Sequence, residues 1–273
     1  MARSQPSMLR AVAWGRLAVW VAIGTVALAG SLFAWRRTEE FLIRDNRFRI
    51  VRAEEFAGRS PNLIVEGVHY ASPSQIRHVF SEDFGRSLYL VPLEARRSEL
   101  LAIDWVAQAA VARIWPNTLK ISILERVPVA FVHLAPNHKD GMSQFALIDA
   151  DGYILRPRVP AKFTLPVLAG IRESEPLANR RARVRRAMGL FAEVGPLAGQ
   201  ISELNVADPN NLVIAERIDD RVVNLMVGDE NYASRLKTFV DAYKTMNPRP
   251  DALTWDLRLD GSIVALRENT HGE

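Results

Sequence analysis

Asp149 and Asp151, followed by Gly152, come nearest in this chain to the pattern of a metal-binding loop. Asp-x-Asp-Gly is how a calcium loop begins, but that loop also needs further oxygen ligands and a closing glutamate at its twelfth position. The residues after Gly152 supply neither. Asp-Gly is equally a strong signal for a tight turn between two strands. We therefore predict a β-hairpin turn here and no calcium site.

The histidines do not suggest a metal site either. His133 and His138 are five residues apart, and His69 and His78 are isolated. A catalytic zinc ion usually has three closely spaced protein ligands, often on one face of a helix. The chain also lacks the Gly-x-Ser-x-Gly, P-loop and Rossmann glycine patterns. We predict surface histidines, and no catalytic residue, cofactor or metal ion.

Five arginines form the strongest local concentration of charge: Arg180, Arg181, Arg183, Arg185 and Arg186. Such a cluster can serve nucleic-acid binding, contact with an anionic surface such as lipid or cell-wall polymer, or only solvation of a helix face. No aromatic residues that could stack on bases are interleaved with it, and the net charge of the chain is only +4. We favour a solvated face, with Arg183, Arg185 and Arg186 pointing outward, and predict no nucleic-acid partner.

One segment is long and apolar enough to cross a membrane. Nineteen uncharged residues, 17–35, lie between Arg16 and Arg36. As a helix they span about 28 Å, close to the roughly 30 Å hydrocarbon core of a bilayer. The preceding residues carry arginines and no acid, which predicts a cytoplasmic tail and export of the rest. A cleaved signal peptide is the alternative, because Ala27-Leu28-Ala29 suits a signal peptidase, but the length of the apolar run favours a retained anchor.

Residues 104–130 predict two strands joined by a tight turn. Leu119, Ile121 and Ile123 alternate with polar residues, which is the two-residue period of a half-buried strand. Residues 106–114 alternate in the same way. Pro116 and Asn117 suit the two central positions of the turn between them. The pattern therefore predicts a β-hairpin.

The same residues resemble a known family. The similar segments are Trp105-Val106, residues 113–119 (RIWPNTL) and residues 123–130 (ILERVPVA), with weaker similarity at residues 165–170, Gly228, Arg235-Leu236 and Asp256-Leu257-Arg258. They resemble the bacterial cell-division family FtsQ, called DivIB in Gram-positive bacteria. In that family the hairpin closes a small POTRA module. The resemblance implies an assembly protein, without catalytic activity, in the inner membrane and enriched at the division septum.

The fold class we predict is α+β. A cytoplasmic tail (1–16), a transmembrane helix (17–35) and a linker (36–61) precede a POTRA domain (62–128), a mainly antiparallel β domain with flanking helices (129–267) and a tail (268–273). In the POTRA domain the patterns predict strand, helix, helix, strand, strand. Its second helix, from about Leu93 to Ile103, is predicted to point Glu94, Arg96 and Glu99 outward.

The last strand of the β domain is the candidate binding site. A strand at the edge of a sheet leaves one row of backbone N–H and C=O groups unpaired, and a partner segment can add to it. The resemblance implies that FtsB is captured this way and is held, with FtsL, for the septal synthases FtsW and FtsI. It places the contact at Arg258, Leu259, Gly261, Ser262, Ile263 and Val264. Inward packing of Leu259 and Ile263 is an equal alternative for each side chain.

Two other classes of protein remain open at this point. One is a POTRA protein of outer-membrane assembly or secretion, which would lead into a transmembrane barrel. The other is an anchored periplasmic enzyme, which would show clustered acids, histidines or serines.

Overall fold

The computed structural model describes residues 8–51, 61–134, 144–156, 162–218, 221–246, 252–259 and 261–266. Its contacts divide the chain into two compact units. Unit 1 comprises Met1–Gly67, Ser74–Leu100 and Ala109–Ile123, and unit 2 comprises Val68–Pro73, Leu101–Gln108 and Leu124–Glu273. The predicted tail 268–273 and the start of the predicted tail 1–16 lie outside the described residues. The predicted domain limits stay predictions.

The N-terminal helix, α1 (Met8–Arg44), is longer than the apolar segment. Its stretch from Val19 is apolar and long enough to cross a membrane, and none of that stretch is buried against the protein. The helix continues nine residues past position 35, into the segment predicted as a linker. No glycine or proline occurs between Arg36 and Arg44 to end it. It ends where the side chain of Asp45 accepts a hydrogen bond from the Arg47 N–H and starts a 3₁₀ turn, Asn46–Phe48.

The order predicted for a POTRA module is present, mostly in unit 1, with the ends of several of its elements in unit 2. Its elements are β1 (Leu63–Glu66), α2 (Pro73–Val79), α3 (Leu93–Leu101), β2 (Val106–Ile114) and β3 (Thr118–Glu125). The three strands form a sheet in the order β1-β3-β2, and β1 runs parallel to β3. Leu119, Ile121 and Ile123 all lie on the buried face of β3, so the predicted hairpin and its facing are confirmed.

One side chain of α3 points the opposite way from the prediction. Arg96 was expected to face solvent, but it is buried. Its Nε donates to Oδ2 of Asp83 at 2.7 Å, and its Nη1 donates to Glu99 at 2.9 Å. Asp83 is only 1% exposed, and a buried carboxylate requires a charged or hydrogen-bonding partner. Arg96 supplies that partner, so its positive charge is buried beside Asp83 instead of facing solvent.

Unit 2 is built on one large sheet. Within the described residues its strands are β4 (Pro128–Leu134), β5 (Gln144–Asp149), β6 (Ile154–Leu155), β7 (Val167–Ala169), β8 (Ile201–Asp208), β9 (Asn211–Ile218), β10 (Arg221–Gly228), β11 (Thr254–Asp256) and β12 (Val264–Leu266). They are arranged in the order β12-β11-β10-β9-β8-β7-β4-β5-β6. Most neighbouring pairs are antiparallel, and the α+β class with a mainly antiparallel sheet is confirmed.

Two helices, α4 (Leu177–Val194) and α5 (Tyr232–Thr245), flank this sheet and bury its core. On α5 the rings of Phe239 and Tyr243 pack against Trp255 of β11, with centroid distances of 5.5 and 5.9 Å. Trp255 is 1% exposed. Such aromatic contacts add to the hydrophobic effect of burial. They hold β11, the neighbour of the last strand, firmly against α5.

Candidate partner-binding edge

The acidic residues that resembled a calcium loop form a turn. Asp149 Oδ1 accepts hydrogen bonds from the N–H groups of Asp151 and Tyr153, at 3.0 and 2.8 Å. Its other oxygen accepts from Arg126 at 2.9 Å. The carboxylate is therefore committed to the β5–β6 hairpin, as the Asp-Gly signal predicted. Among the described residues, no group of three or more His, Asp or Glu side chains is placed to hold a metal ion.

The histidines are separated from one another. The side chain of His69 is 76% exposed, and the ring of His133 stacks on Phe145 with centroids 5.0 Å apart. His78 is exposed on α2. His138 lies outside the described residues.

The arginine cluster on α4 is largely occupied by contacts within unit 2. Arg180 donates to the carbonyl of Glu173, and Arg181 donates to Asp151. Arg183, which was predicted to point outward, is instead half-buried and donates to Glu175 and to the carbonyls of Val206 and Ala207. Carbonyl oxygens at the end of β8 need donors, and the long arginine side chain reaches them from α4. Arg185 remains exposed.

Glu125, in the segment that resembles the family, holds a loop of unit 2 in place. Its Oε1 accepts hydrogen bonds from three successive backbone N–H groups, those of His69, Tyr70 and Ala71, at 2.9, 2.9 and 2.7 Å. Only 8% of the Glu125 side chain is exposed. A carboxylate bound by several N–H groups is a strong anchor, because hydrogen bonds to an ionised acceptor are roughly twice as strong as neutral ones.

Arg126 and Trp105 make further ties inside the same unit. Arg126 forms the ion pair with Asp149 and lies over the ring of Tyr153, 3.5 Å from its centroid. The indole N–H of Trp105 donates to the carbonyl of Arg156 at 2.9 Å. These residues therefore build the scaffold rather than a catalytic site.

The last strand, β12, lies at the edge of the large sheet. It pairs antiparallel with β11, and no described strand lies on its other side. Ala265 is opposite the buried Trp255, whereas Val264 and Leu266 are opposite Asp256 and Thr254. Opposed residues share a face of the sheet. Val264 and Leu266 therefore lie on the face away from Trp255, where they are 42% and 38% exposed.

The six predicted contact residues lie in and before this strand. Arg258 follows β11, and its guanidinium forms two hydrogen bonds with Asp256, at 2.9 and 2.6 Å, which lower the pKa of the Asp256 carboxyl below its ordinary value. Leu259 is 64% exposed. The N–H of Ser262 donates to the Leu259 carbonyl, and Gly261 has a φ of +71°, so a tight turn leads into β12.

The two apolar residues of this turn, Leu259 and Ile263, differ in how far they are buried. Ile263 is partly buried against the hydrophobic core, whereas Leu259 points to solvent. Val264 is the first residue of β12.

Four of the six residues also line a groove of about 300 Å³, whose lining is Leu257, Leu259, Gly261, Ser262, Ile263, Asn231, Ser234, Arg235 and Thr238. Asn231 directly precedes α5, and Ser234, Arg235 and Thr238 lie in its first half. None of the four was predicted as a contact residue, although Arg235 was noted for its resemblance to the family. Asn231, Ser234 and Thr238 recur at helical spacing, on a stripe separate from the buried Leu236 and Phe239. That polar stripe is the signal that could have identified them.

Two protein-family models match this chain. Residues 61–126 match the model described as "POTRA domain, FtsQ-type", and residues 138–258 match "Cell division protein FtsQ/DivIB, C-terminal". Together they cover about two thirds of the chain. An apolar N-terminal helix, a POTRA region and a mainly antiparallel sheet define a POTRA-containing protein with a candidate membrane anchor. The chain belongs to the FtsQ/DivIB cell-division family, which supports a role as a division scaffold.

Curated relatives agree with this assignment over most of the chain. The chain is 27% identical to the cell division protein FtsQ of Koribacter versatilis over 258 residues, which is 92% of this chain and 70% of the relative. It is 28% identical to FtsQ of Rhodothermus marinus, over 78% of this chain and 79% of the relative. It is 29% identical to FtsQ of Allochromatium vinosum, over 76% of this chain and 77% of the relative.

Proposed function

We propose that this protein is a non-catalytic division scaffold that captures a partner by adding one of its segments as a further strand beside β12. The observation that carries the proposal is the edge position of β12, with β11 on one side only among the described strands. An unpaired edge offers backbone N–H and C=O groups to an extended segment. Alternate side chains of that segment then select between partners.

The side chains around β12 suit an extended segment with apolar residues. Val264 and Leu266 expose apolar surface along the edge strand, which is where a partner's alternate side chains would pack. The groove beside the Leu259–Ser262 turn adds a polar wall from α5, with Ser234 and Thr238. A partner that continues past the strand would lie in this groove. Recognition in this scheme has two parts, one by backbone pairing and one by side chains.

The partners we propose are FtsB, by strand addition, and FtsL with it, so that the septal synthases FtsW and FtsI are linked to the complex. These identities rest on the family resemblance together with the exposed edge. We also infer that the N terminus is cytoplasmic and that the remainder is periplasmic and collects at the septum, since Arg3, Arg10 and Arg16 precede the apolar helix. Alkaline phosphatase fused after Glu273 is expected to be active, and a fluorescent fusion is expected to gather at midcell.

Site-specific crosslinking tests the binding edge. A photoreactive amino acid is placed in the full chain at Val264 or Leu266, and in a control at Val222, which is 50% exposed on β10, an internal strand. We expect a covalent adduct containing FtsB from the two edge positions and none from Val222. An adduct from Val222 alone, or equal adducts from all three positions, would contradict strand addition at β12.

Charge substitution at the same positions gives an independent readout. Val264→Lys is expected to reduce FtsB recovered with the full chain several-fold, because an apolar contact is replaced by a charge that must be desolvated. Val222→Lys changes a strand valine that is at least as exposed, 50% against 42%, and is expected to leave recovery unchanged. Unchanged recovery with Val264→Lys, at a normal level of folded protein, would count against the proposal.

A further inference from the structure

Three segments of unit 2 meet at Gly228, where β10 ends. A Cβ atom at this position would lie 2.7 Å from Nη1 of Arg235, on α5, and 3.4 Å from Cγ of Arg258, after β11. The same Nη1 donates a hydrogen bond to the carbonyl of Val227 at 2.8 Å. Both arginine side chains therefore lie directly against the glycine.

A bulge at the end of β10 explains why an arginine is held there. The pairing of β10 with β9 shifts register between Met226 and Gly228, so Val227 has no residue opposite it. Val227 is fully buried, and a buried carbonyl needs a hydrogen-bond donor. Arg235 supplies the donor from α5, and only 9% of its own side chain is exposed. The arginine therefore ties α5 to the end of β10.

Two carboxylates lie near the guanidinium of Arg235. Its Nη2 is 3.9 Å from Oε1 of Glu230, just before α5. The pKa of Asp256, at the end of β11, is lowered mainly by hydrogen bonds from Arg258, and the positive charge of Arg235 lowers it further. Arg235 is therefore attracted to the end of β11 as well as bonded to the end of β10.

The turn that leads into β12 starts beside this junction. The N–H of Leu257 donates to the carbonyl of Met226 at 2.9 Å. Leu257, Leu259 and Ile263 line one wall of the groove beside β12, and Arg235 belongs to the opposite wall, on α5. Because Arg235 joins α5 to the ends of β10 and β11, it also fixes the distance between the two walls.

We propose that Arg235, seated on Gly228, is a positioning residue for the partner-binding edge, and that it holds α5 and the turn before β12 at the spacing that a bound segment requires. The inference rests on the proposed function, because the spacing matters only if a segment is captured beside β12. Glycine is needed at position 228 since its φ is +75° and since a side chain there would displace the guanidinium from Val227.

Hydrogen exchange of the full chain in detergent micelles tests the positioning without any partner. Arg235→Ala and Gly228→Ala are expected to speed exchange of the Leu257 and Ser262 amides several-fold, because both changes remove the guanidinium from its place beside the turn. Gly195→Ala is the control: its φ is also positive, +55°, but an added Cβ there meets no atom within 4 Å. It is expected to leave exchange in the turn unchanged. Unchanged exchange in Arg235→Ala would overturn the proposal.

Capture of FtsB tests whether this positioning matters for binding. The full chain carries a photoreactive amino acid at Leu266, and its adduct with purified FtsB is measured per amount of folded protein. Arg235→Ala and Gly228→Ala are expected to lower the adduct several-fold, whereas Gly195→Ala should match the wild type. Arg235→Lys is expected to retain part of the capture, because its amine still donates a hydrogen bond but lacks the planar fork of arginine.

The outcomes separate this inference from the proposed function. An unchanged adduct in Arg235→Ala would overturn the positioning role. Absence of an FtsB adduct from the wild type would instead refute strand addition, and exchange, which needs no partner, would still decide whether Arg235 holds the turn.

A double variant tests whether the two residues act through one contact. If a methyl group at position 228 acts by displacing the guanidinium, Gly228→Ala combined with Arg235→Ala should capture FtsB as well as Arg235→Ala alone. Losses that multiply in the double variant would show that the residues act independently, and would overturn the proposal.

Discussion

Replacing Glu125 by alanine removes one acceptor from three backbone N–H groups at once. The N–H of Ala71 belongs to a residue that is 3% exposed, so leaving it without a partner costs about 1–3 kcal/mol. Tyr70 is half-buried, and its N–H adds roughly 1 kcal/mol, whereas His69 is exposed and its N–H can bind water. The expected loss is therefore about 2–4 kcal/mol, a large share of the roughly 5–15 kcal/mol that stabilises an ordinary domain.

Two further variants make this expectation specific to the carboxylate. Glu125→Gln keeps one carbonyl oxygen with two lone pairs, and we expect it to cost about half as much as alanine. Glu66→Ala removes a glutamate from β1 that forms only an exposed pair with Lys120, and its cost is expected to stay below about 0.5 kcal/mol.

Hydrogen exchange of the full chain in detergent micelles measures the effect where it arises. Because about 1.4 kcal/mol corresponds to a factor of ten, a loss of about 3 kcal/mol is expected to speed exchange of the amides of residues 69–71 roughly hundredfold in Glu125→Ala. Exchange in Glu66→Ala should match the wild type. If those amides stay as protected in Glu125→Ala as in the wild type, the carboxylate does not hold this loop and the reasoning fails.

Two other substitutions follow from buried charges and are both measured by urea unfolding. Arg96→Ala leaves Asp83 buried without its partner and is expected to cost about 3–5 kcal/mol. Lys120→Ala removes a cation whose ion pair with Glu66 is exposed, and it should cost less than about 0.5 kcal/mol. Similar losses from the two substitutions would contradict the role given to Arg96. Burial raises the pKa of Glu216 above its ordinary value of 4.5, so the folded state holds the proton more tightly than the unfolded state does. The free energy of unfolding should therefore decrease as pH rises from 4.5 through the raised pKa. Glu216→Gln should remove this decrease, and an unchanged pH profile in the variant would contradict the assignment to Glu216.

The element order could be predicted because most of it is local. Leu119, Ile121 and Ile123 alternate, and the strand follows from that period alone. The end of α1 could not be predicted in this way. The apolar signal ends at Trp35, but the helix continues, since hydropathy marks where a bilayer ends and not where a helix ends. The segment up to Arg44 is helical because nothing in it breaks a helix.

The buried position of Arg96 could not be predicted either. A charged residue on a short surface helix is assigned to the solvent face, and the partner of Arg96, Asp83, lies thirteen residues away in another segment. For the binding edge, the sequence predicted the last strand and the turn before it. The sequence did not show that α5 contributes to the site, because the polar stripe through Ser234 and Thr238 meets that turn only in the folded unit.

The length of β12 limits what strand addition alone can achieve. The described part of the strand has three residues, and an added segment can form only a few backbone hydrogen bonds beside these. At about 0.5–1.5 kcal/mol each, these contribute a few kcal/mol, which corresponds to roughly millimolar binding. A partner held tightly therefore needs further contacts, and the nearest are the apolar surface of Val264 and Leu266 and the groove that Leu259 shares with α5. This is why we assign recognition to the strand and the groove together: the edge sets the direction of the bound segment, and the side chains beside it supply most of the affinity and the choice of partner.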